Sequence, residues 1–242
     1  GLAAGTWAVI SAGEHGWGVP QLAAAVAAAG LLTGFVAVER RIPEPMLPPG
    51  LFAGRGFTVA VTVGFCLNVS FFGQLFVLSL FFQRTLGHDA WEAGLALAPQ
   101  ACSAVVAAPL GGRVAARFGV FPAMLMGLVL GAAGFAGTAF IGSGTAPLVV
   151  SGVTFAAGFG MAFAMPAATA AAVSAVPDEL AGTAGGVVNA ARQTGSVAGV
   201  AILGGVVAAD ASPSGFRVAM LMAAGIFVVA AALVAAAARD PA

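Results

Sequence analysis

Charge is what this chain has least of. Only 7% of its 242 residues are charged, against about 25% in soluble domains. That is too few to cover a surface facing water. Lysine and tyrosine are absent, and all nine cations are arginines. Nine acids balance them to a net charge of zero, which excludes the basic surface that nucleic-acid binding relies on. There are only two cysteines, Cys66 and Cys102, and both fall inside apolar runs. A free thiol behaves there as a small apolar side chain. The chain has no recognisable signal peptide. It also lacks the alternating segments of about ten residues that build a membrane β-barrel.

What remains is apolar. The sequence is 60% hydrophobic with a mean hydropathy of +1.04, and it contains repeated apolar runs of about 20 residues, the length that crosses a bilayer as a helix. An all-α integral membrane protein follows. Residues 1–12 read as the tail of a helix, so the chain looks truncated at its N-terminus. Glu14 to Gly18 form a polar turn, and a full span covers about 20–38. The segment IPEPMLPPG (42–50) cannot be helix interior. Six spans are then expected near 57–82, 92–112, 119–141, 146–172, 182–208 and 215–238. The domain reading is therefore a partial helix and one full span over 1–38, a cytoplasmic proline-rich linker over 39–56, and a six-span bundle over 57–242. With the linker placed inside, Arg40, Arg41, Arg55, Arg113, Arg117 and Arg239 lie on the cytoplasmic side. Only Arg84 and Arg217 lie outside. The positive-inside rule favours this orientation and a cytoplasmic C-terminus.

Four polar features stand out. In LGHDAWEAG (86–94), Asp89 and Glu92 have the spacing of a capping box. This is a better reading than a metal site built from one histidine and two carboxylates. Gly111-Gly112-Arg113-Val114-Ala115-Ala116-Arg117-Phe118-Gly119 reads as a tight inner turn. Its Gly112, Arg113, Arg117 and Gly119 serve either as a positive-inside anchor or as a gating turn. Pro166 lies in mid-span beside Gly158 and Gly160, in a segment that either packs closely or bends.

The fourth feature is Arg192. An arginine at the centre of a membrane helix costs about 2.5–3.5 kcal/mol on insertion scales. Asn189, Arg192, Gln193 and Ser196 recur at three- and four-residue spacings and share one helical face, which must meet protein or a watery cavity. Asn68, Ser70, Gln74, Gln100 and Ser103 lie at comparable depth, with Phe71, Phe72 and Phe76 beside the first of them. Each is either an interhelical hydrogen bond or part of a cavity for amphipathic molecules, for which Asn68, Gln74, Gln100, Asn189, Arg192 and Gln193 are the candidate lining. No acid lies deep in any span, so Arg192 has no evident counter-ion within the chain.

These residues resemble the C-terminal half of the fourteen-span drug:proton antiporter family of the major facilitator superfamily. The resemblance is carried by LFAGRGF (51–57), by LFVLSLFFQRTLGHDAWEAGLALAPQ (75–100), by PLGGRVAARFG (109–119) and by the block from Gly158 to Ala201, with Val176-Pro177, Asn189 and Arg192-Gln193. It implies two inverted triplets of helices and a missing N-terminal six-helix half. It also implies a small amphipathic substrate, a multi-pass location in the cell membrane, and a proton gradient in place of any cofactor. Ala116 stands where the family usually carries Asp, and the proton-linked acids belong mainly to the half that is missing. The expected function is secondary active efflux of drugs or natural products. The alternatives are an exporter of one specific metabolite on the same fold and a non-transporting membrane scaffold. No catalytic residue, no metal and no nucleic-acid partner is expected.

Overall fold

The structure, a computed structural model, describes residues 18–39 and 49–239. The helix tail at 1–12, the turn at 14–17 and most of the proline-rich segment lie outside these residues. The chain divides into two compact units, Gly1–Gly54 and Arg55–Ala242. The first contains α1 (Val19–Glu39) and a 3-10 turn at Pro49–Ala53. The second contains α2 (Arg55–Leu80), α3 (Ala90–Phe118), α4 (Val120–Thr138), α5 (Pro147–Ser174), α6 (Ala181–Ala209) and α7 (Pro213–Arg239).

Each boundary in the second unit has a local cause. Helix α2 runs into a π-helical turn at Phe81–Thr85, and Gly87, at φ 72°, takes the chain out of it. Asp89 caps α3 as its spacing predicts. The Glu92 amide donates to Asp89 Oδ1 at 2.8 Å, and the Asp89 amide donates to Glu92 Oε2 at 3.1 Å. Pro147 opens α5 at a position where its missing N–H costs nothing. A 3-10 turn at Asp178–Leu180 leads into α6, and its two acids suit the positive end of that helix. Between α6 and α7, Asp210 accepts from the Ser212 amide at 3.0 Å and from the Ser214 hydroxyl at 3.1 Å. Hydrogen bonds from Ser212 and then Ser214 hold this exposed carboxyl below the usual carboxylate range.

The inner motif departs from its sequence reading. Residues 111–118 continue α3 as helix, and the break is confined to Gly119, at φ 95°. The reason lies in the packing. Gly111 is pressed against the backbone of Phe163 on α5, so its missing side chain is needed for contact and does not mark a turn. Gly112, Arg113 and Arg117 therefore ride on the last two turns of α3, and the Arg117 guanidinium lies over the Phe118 ring at 5.4 Å.

Buried side chains make the interior, but backbone makes the closest contacts. A Cβ on Gly73 of α2 would lie 2.6 Å from both the Gly199 carbonyl oxygen and Leu203 Cδ1 of α6. One on Gly195 of α6 would lie 2.5 Å from the Phe65 carbonyl oxygen. On α4, a Cβ at Gly127 would be 2.7 Å from Ala164 N and from the Gly160 carbonyl oxygen of α5. Between α4 and α7, Phe135 and Phe227 meet edge to face at 4.7 Å. Lipid tails are as apolar as leucine, so helices in a bilayer associate through this kind of close approach.

The packing repeats itself. Helix α6 lies along α2, and α3 lies along α5; α4 packs on α5, and α7 packs on α2. Exchanging the triplet α2–α3–α4 for α5–α6–α7 maps every one of these pairs onto another. Five helical segments of this unit are long and apolar enough to cross a membrane. Helix α6 is long enough but falls outside that set, because Asn189, Arg192 and Gln193 interrupt its apolar sequence. Leu148, Val105, Trp91 and Phe140 are among the large apolar residues left exposed, as a lipid-facing surface requires.

Replacing Gly160 with valine should overpack the α4–α5 contact and destabilise the protein by about 1–3 kcal/mol. A thermal melt of the detergent-solubilised protein checks this, with Gly225→Ala, which meets nothing within 4 Å, as the neutral control. Equal melting of the two variants would contradict a backbone-contact core.

Candidate functional site

Six side chains were expected to line one cavity, and the structure sorts them into two groups. Asn68, Gln74 and Gln100 are 3%, 0% and 1% exposed and point into the bundle. Asn189 and Gln193 are exposed on α6, and Arg192 is half-buried at the edge between them and α2.

The first group consists of interhelical clips. Gln100 Nε2 on α3 donates to Gln74 Oε1 on α2 at 2.7 Å. This bond ties together two helices that otherwise hardly touch. Gln74 Nε2 and Gln100 Oε1 are both buried without a partner, so each glutamine keeps one polar group unmatched inside the bundle. Asn68 Nδ2 donates to the Gly64 carbonyl of its own helix at 2.9 Å. The Ser196 hydroxyl on α6 lies 3.3 Å from Asn68 Oδ1 and 3.0 Å from the Arg192 carbonyl oxygen. Ser70 donates to the Ala223 carbonyl of α7 at 2.9 Å, and Ser103 to the Gln100 carbonyl of α3 at 2.7 Å.

The second group is a polar stripe built around Arg192. The arginine lies within one turn of Gly195, the middle of α6. Its stem rests in a notch on α2, with Cγ 3.4 Å and Cδ 4.0 Å from the place a Cβ on Gly64 would occupy. Its Nε is buried and has no hydrogen-bond partner. Gln100 stands in the matching place of the other triplet, where α3 crosses α5. A Cβ on Gly158 would meet the Gln100 carbonyl and lie 2.9 Å from Gln100 Cγ. One long polar side chain thus sits over a glycine in each half of the repeat. Sequence reasoning found the polar residues and singled out Gly158 for close packing, but it missed Gly64 and did not pair either glycine with the side chain it seats. Their signal was present, because Gly64 and Gly158 lie mid-span where helix propensity disfavours glycine.

Pro166 lies inside α5 and is half-buried, and its ring nitrogen leaves the Ala162 carbonyl without an intrahelical donor. Three phenylalanines, Phe155, Phe159 and Phe163, run along the same helix with ring centroids 5.9 and 5.8 Å apart. At one end of the bundle Arg217 Nε donates to the Ala139 carbonyl at 3.4 Å, and the guanidinium lies over the Phe140 ring at 5.5 Å. This pins α7 to the end of α4, a contact that nothing in the local sequence announces.

Six helices packed as two exchangeable triplets, five of them long and apolar enough to cross a membrane, with polar groups sealed inside or striped along one helix, are the architecture of a helical integral membrane protein. Comparison with known proteins agrees. A family model described as the Major Facilitator Superfamily matches residues 1–200, and the chain belongs to that superfamily. Its relatives fit the drug:proton antiporter family within it. The methylenomycin A resistance protein of Streptomyces coelicolor is 36% identical over 204 residues, covering 84% of this chain and 43% of the relative. The tetracenomycin C resistance and export protein of Streptomyces glaucescens is 33% identical over 199 residues, 82% of this chain and 37% of the relative. The multidrug resistance protein Stp of Mycobacterium tuberculosis is 31% identical over 205 residues, 84% of this chain and 38% of the relative. This chain therefore spans about two fifths of the length of these relatives. Among solved structures, the nucleoside transporter NupG superposes with a TM-score of 0.61 at 17% identity. It covers 97% of this chain and 64% of the other, a likeness of fold alone.

The Gln74–Gln100 bond should show a coupling of about 0.6–1.7 kcal/mol in a double-mutant cycle built from Gln74→Ala and Gln100→Ala, the range found for polar pairs between membrane helices. Additive losses in melting free energy would mean that the two amides stabilise the bundle separately.

Proposed function

We propose that the protein containing this chain is a proton-coupled exporter of amphipathic drugs or natural products in the cell membrane. In this reading residues 57–242 are its C-terminal six-helix half, residues 39–56 are a cytoplasmic linker, and a second six-helix half completes the transport path. The supporting observation is that relatives matched over more than four fifths of the chain carry the names of resistance and export proteins. The partnerless guanidinium edge and exposed amides on α6 add to it. A polar stripe in mid-membrane is stable only against protein or water, which is what a central cavity provides.

A narrower reading also has support. Two of these relatives are named for a single natural product each, methylenomycin A and tetracenomycin C. An exporter of one metabolite would keep the same fold and the same proton coupling. Ethidium separates the two, since only a broad exporter removes it.

Cells expressing the whole protein should clear ethidium several-fold faster than cells without it, and a protonophore should abolish the difference. Efflux that persists after the proton gradient has collapsed would remove proton coupling. Equal clearance with and without the protein would remove broad drug export. The orientation has its own test. A fluorescent protein fused at the C-terminus should fluoresce, and alkaline phosphatase fused there should stay inactive; the reverse pair of results would invert the topology.

A further inference from the structure

The strongest unexplained feature of the bundle is the buried, unpartnered Nε of Arg192. Its neighbours do not serve it. Ser196 is engaged with the Arg192 carbonyl and with Asn68, and Asn68 Nδ2 with the Gly64 carbonyl. The repeat explains why the site is empty of polar partners. Ten residues beyond Gly158's counterpart Gly64, α2 carries Gln74, which accepts from Gln100. Ten residues beyond Gly158, α5 carries Ala168, fully buried and apolar. The outer helix of one triplet therefore finds a polar partner on the central helix, whereas the corresponding position on the other central helix is an alanine and offers no hydrogen-bonding group.

Charge balance sharpens the point. The acids nearest along α6 are Glu179 and Asp210, beyond its two ends. At 1.5 Å per residue the nearer is about 20 Å from Arg192 along the helix axis. Asp89 and Glu92 sit at the capped start of α3. Among the described residues no carboxylate is hydrogen-bonded to this mid-membrane guanidinium. Its Nε and the adjacent terminal nitrogen form a planar two-donor fork, which matches the two oxygens of a carboxylate. On either side of Arg192 along the helix, the exposed amides of Asn189 and Gln193 add N–H donors for the outer faces of such a group.

We propose that Arg192, seated on Gly64 and flanked by Asn189 and Gln193, is a receptor for a carboxylate in the membrane interior. The carboxylate comes either from an acidic side chain of the rest of the protein or from an acidic transported molecule. A neutral cargo would leave the fork unmatched, so the site favours amphipathic acids if it faces the transport path. That last step rests on the transport reading; the carboxylate site itself does not.

The test reads the orphan atom directly. The whole protein is labelled with 15N at arginine Nε, and the Arg192 resonance is assigned by its loss in Arg192→Lys. A downfield Nε–H signal without additive places a carboxylate of the protein on the fork. A signal that moves downfield only with sodium benzoate, and not with benzamide, places the carboxylate on the cargo. A signal that stays at the free-arginine position in both titrations, or moves equally with benzamide, overturns the proposal. If the cargo supplies the acid, Arg192→Gln should also lower efflux of a carboxylate dye by about tenfold or more, the scale of losing a charged hydrogen bond, with efflux of the matching amide unchanged. Failure of the resonance test with proton-dependent efflux intact would sink the carboxylate site and leave the transport reading standing. Absence of efflux with a carboxylate-shifted resonance would do the opposite.

Discussion

The constraint on which this fold depends is the absence of a hydrophobic force between helices in lipid. A leucine face gains nothing by leaving acyl chains for another leucine face, so something else must hold six helices together. Here it is contact between backbones. Gly73 and Gly199, Gly195 and Phe65, Gly127 and Gly160, and Gly111 and Phe163 bring main chains so close that a single methyl group would not fit. The glycines at these crossings are thus interface residues, and the polar clips act on helices already in contact.

The repeat gives those contacts their order. Each triplet supplies a central helix, an outer helix and a third that braces the other triplet, and the pairs α2–α6 and α3–α5 are two instances of one packing. The two differ at the polar position of the outer helix. Gln100 is matched and sealed, whereas Arg192 is half-exposed and keeps an unmatched edge. Two copies of the same joint have therefore taken different duties, one internal and one turned outward.

Much of this was legible before any coordinates. Apolar run lengths placed the helices of the bundle to within a few residues except at the end of α3, which runs on to Phe118, because bilayer thickness sets span length regardless of tertiary detail. The Asp89–Glu92 spacing announced its own cap, since a capping box is a purely local device. Arg192 stood out by cost alone. What could not be read was anything that depended on a distant partner. Gln74 looks the same in sequence whether it lines a cavity or meets Gln100. Gly111 and Gly112 suggested a turn because two adjacent glycines usually weaken a helix, and only the backbone of Phe163 explains why α3 continues through them. The Arg217 pin on Ala139 and Phe140 is invisible for the same reason, since it joins residues far apart in the chain.

The glycine contacts have one more consequence. Interlocked side chains must climb over one another when two helices shift, and the barrier rises with the depth of the interdigitation. Helix α6 instead meets α2 main chain to main chain at Gly73, Gly195 and Gly199, with the Arg192 stem and Leu203 seated in the shallow notches that glycines leave on α2. The side-chain hydrogen bond that ties its middle to α2 is the long one from Ser196 to Asn68. Such a contact works as a bearing. The helix that carries the arginine is held close to the bundle, yet it meets little friction if it glides or rolls along its neighbour.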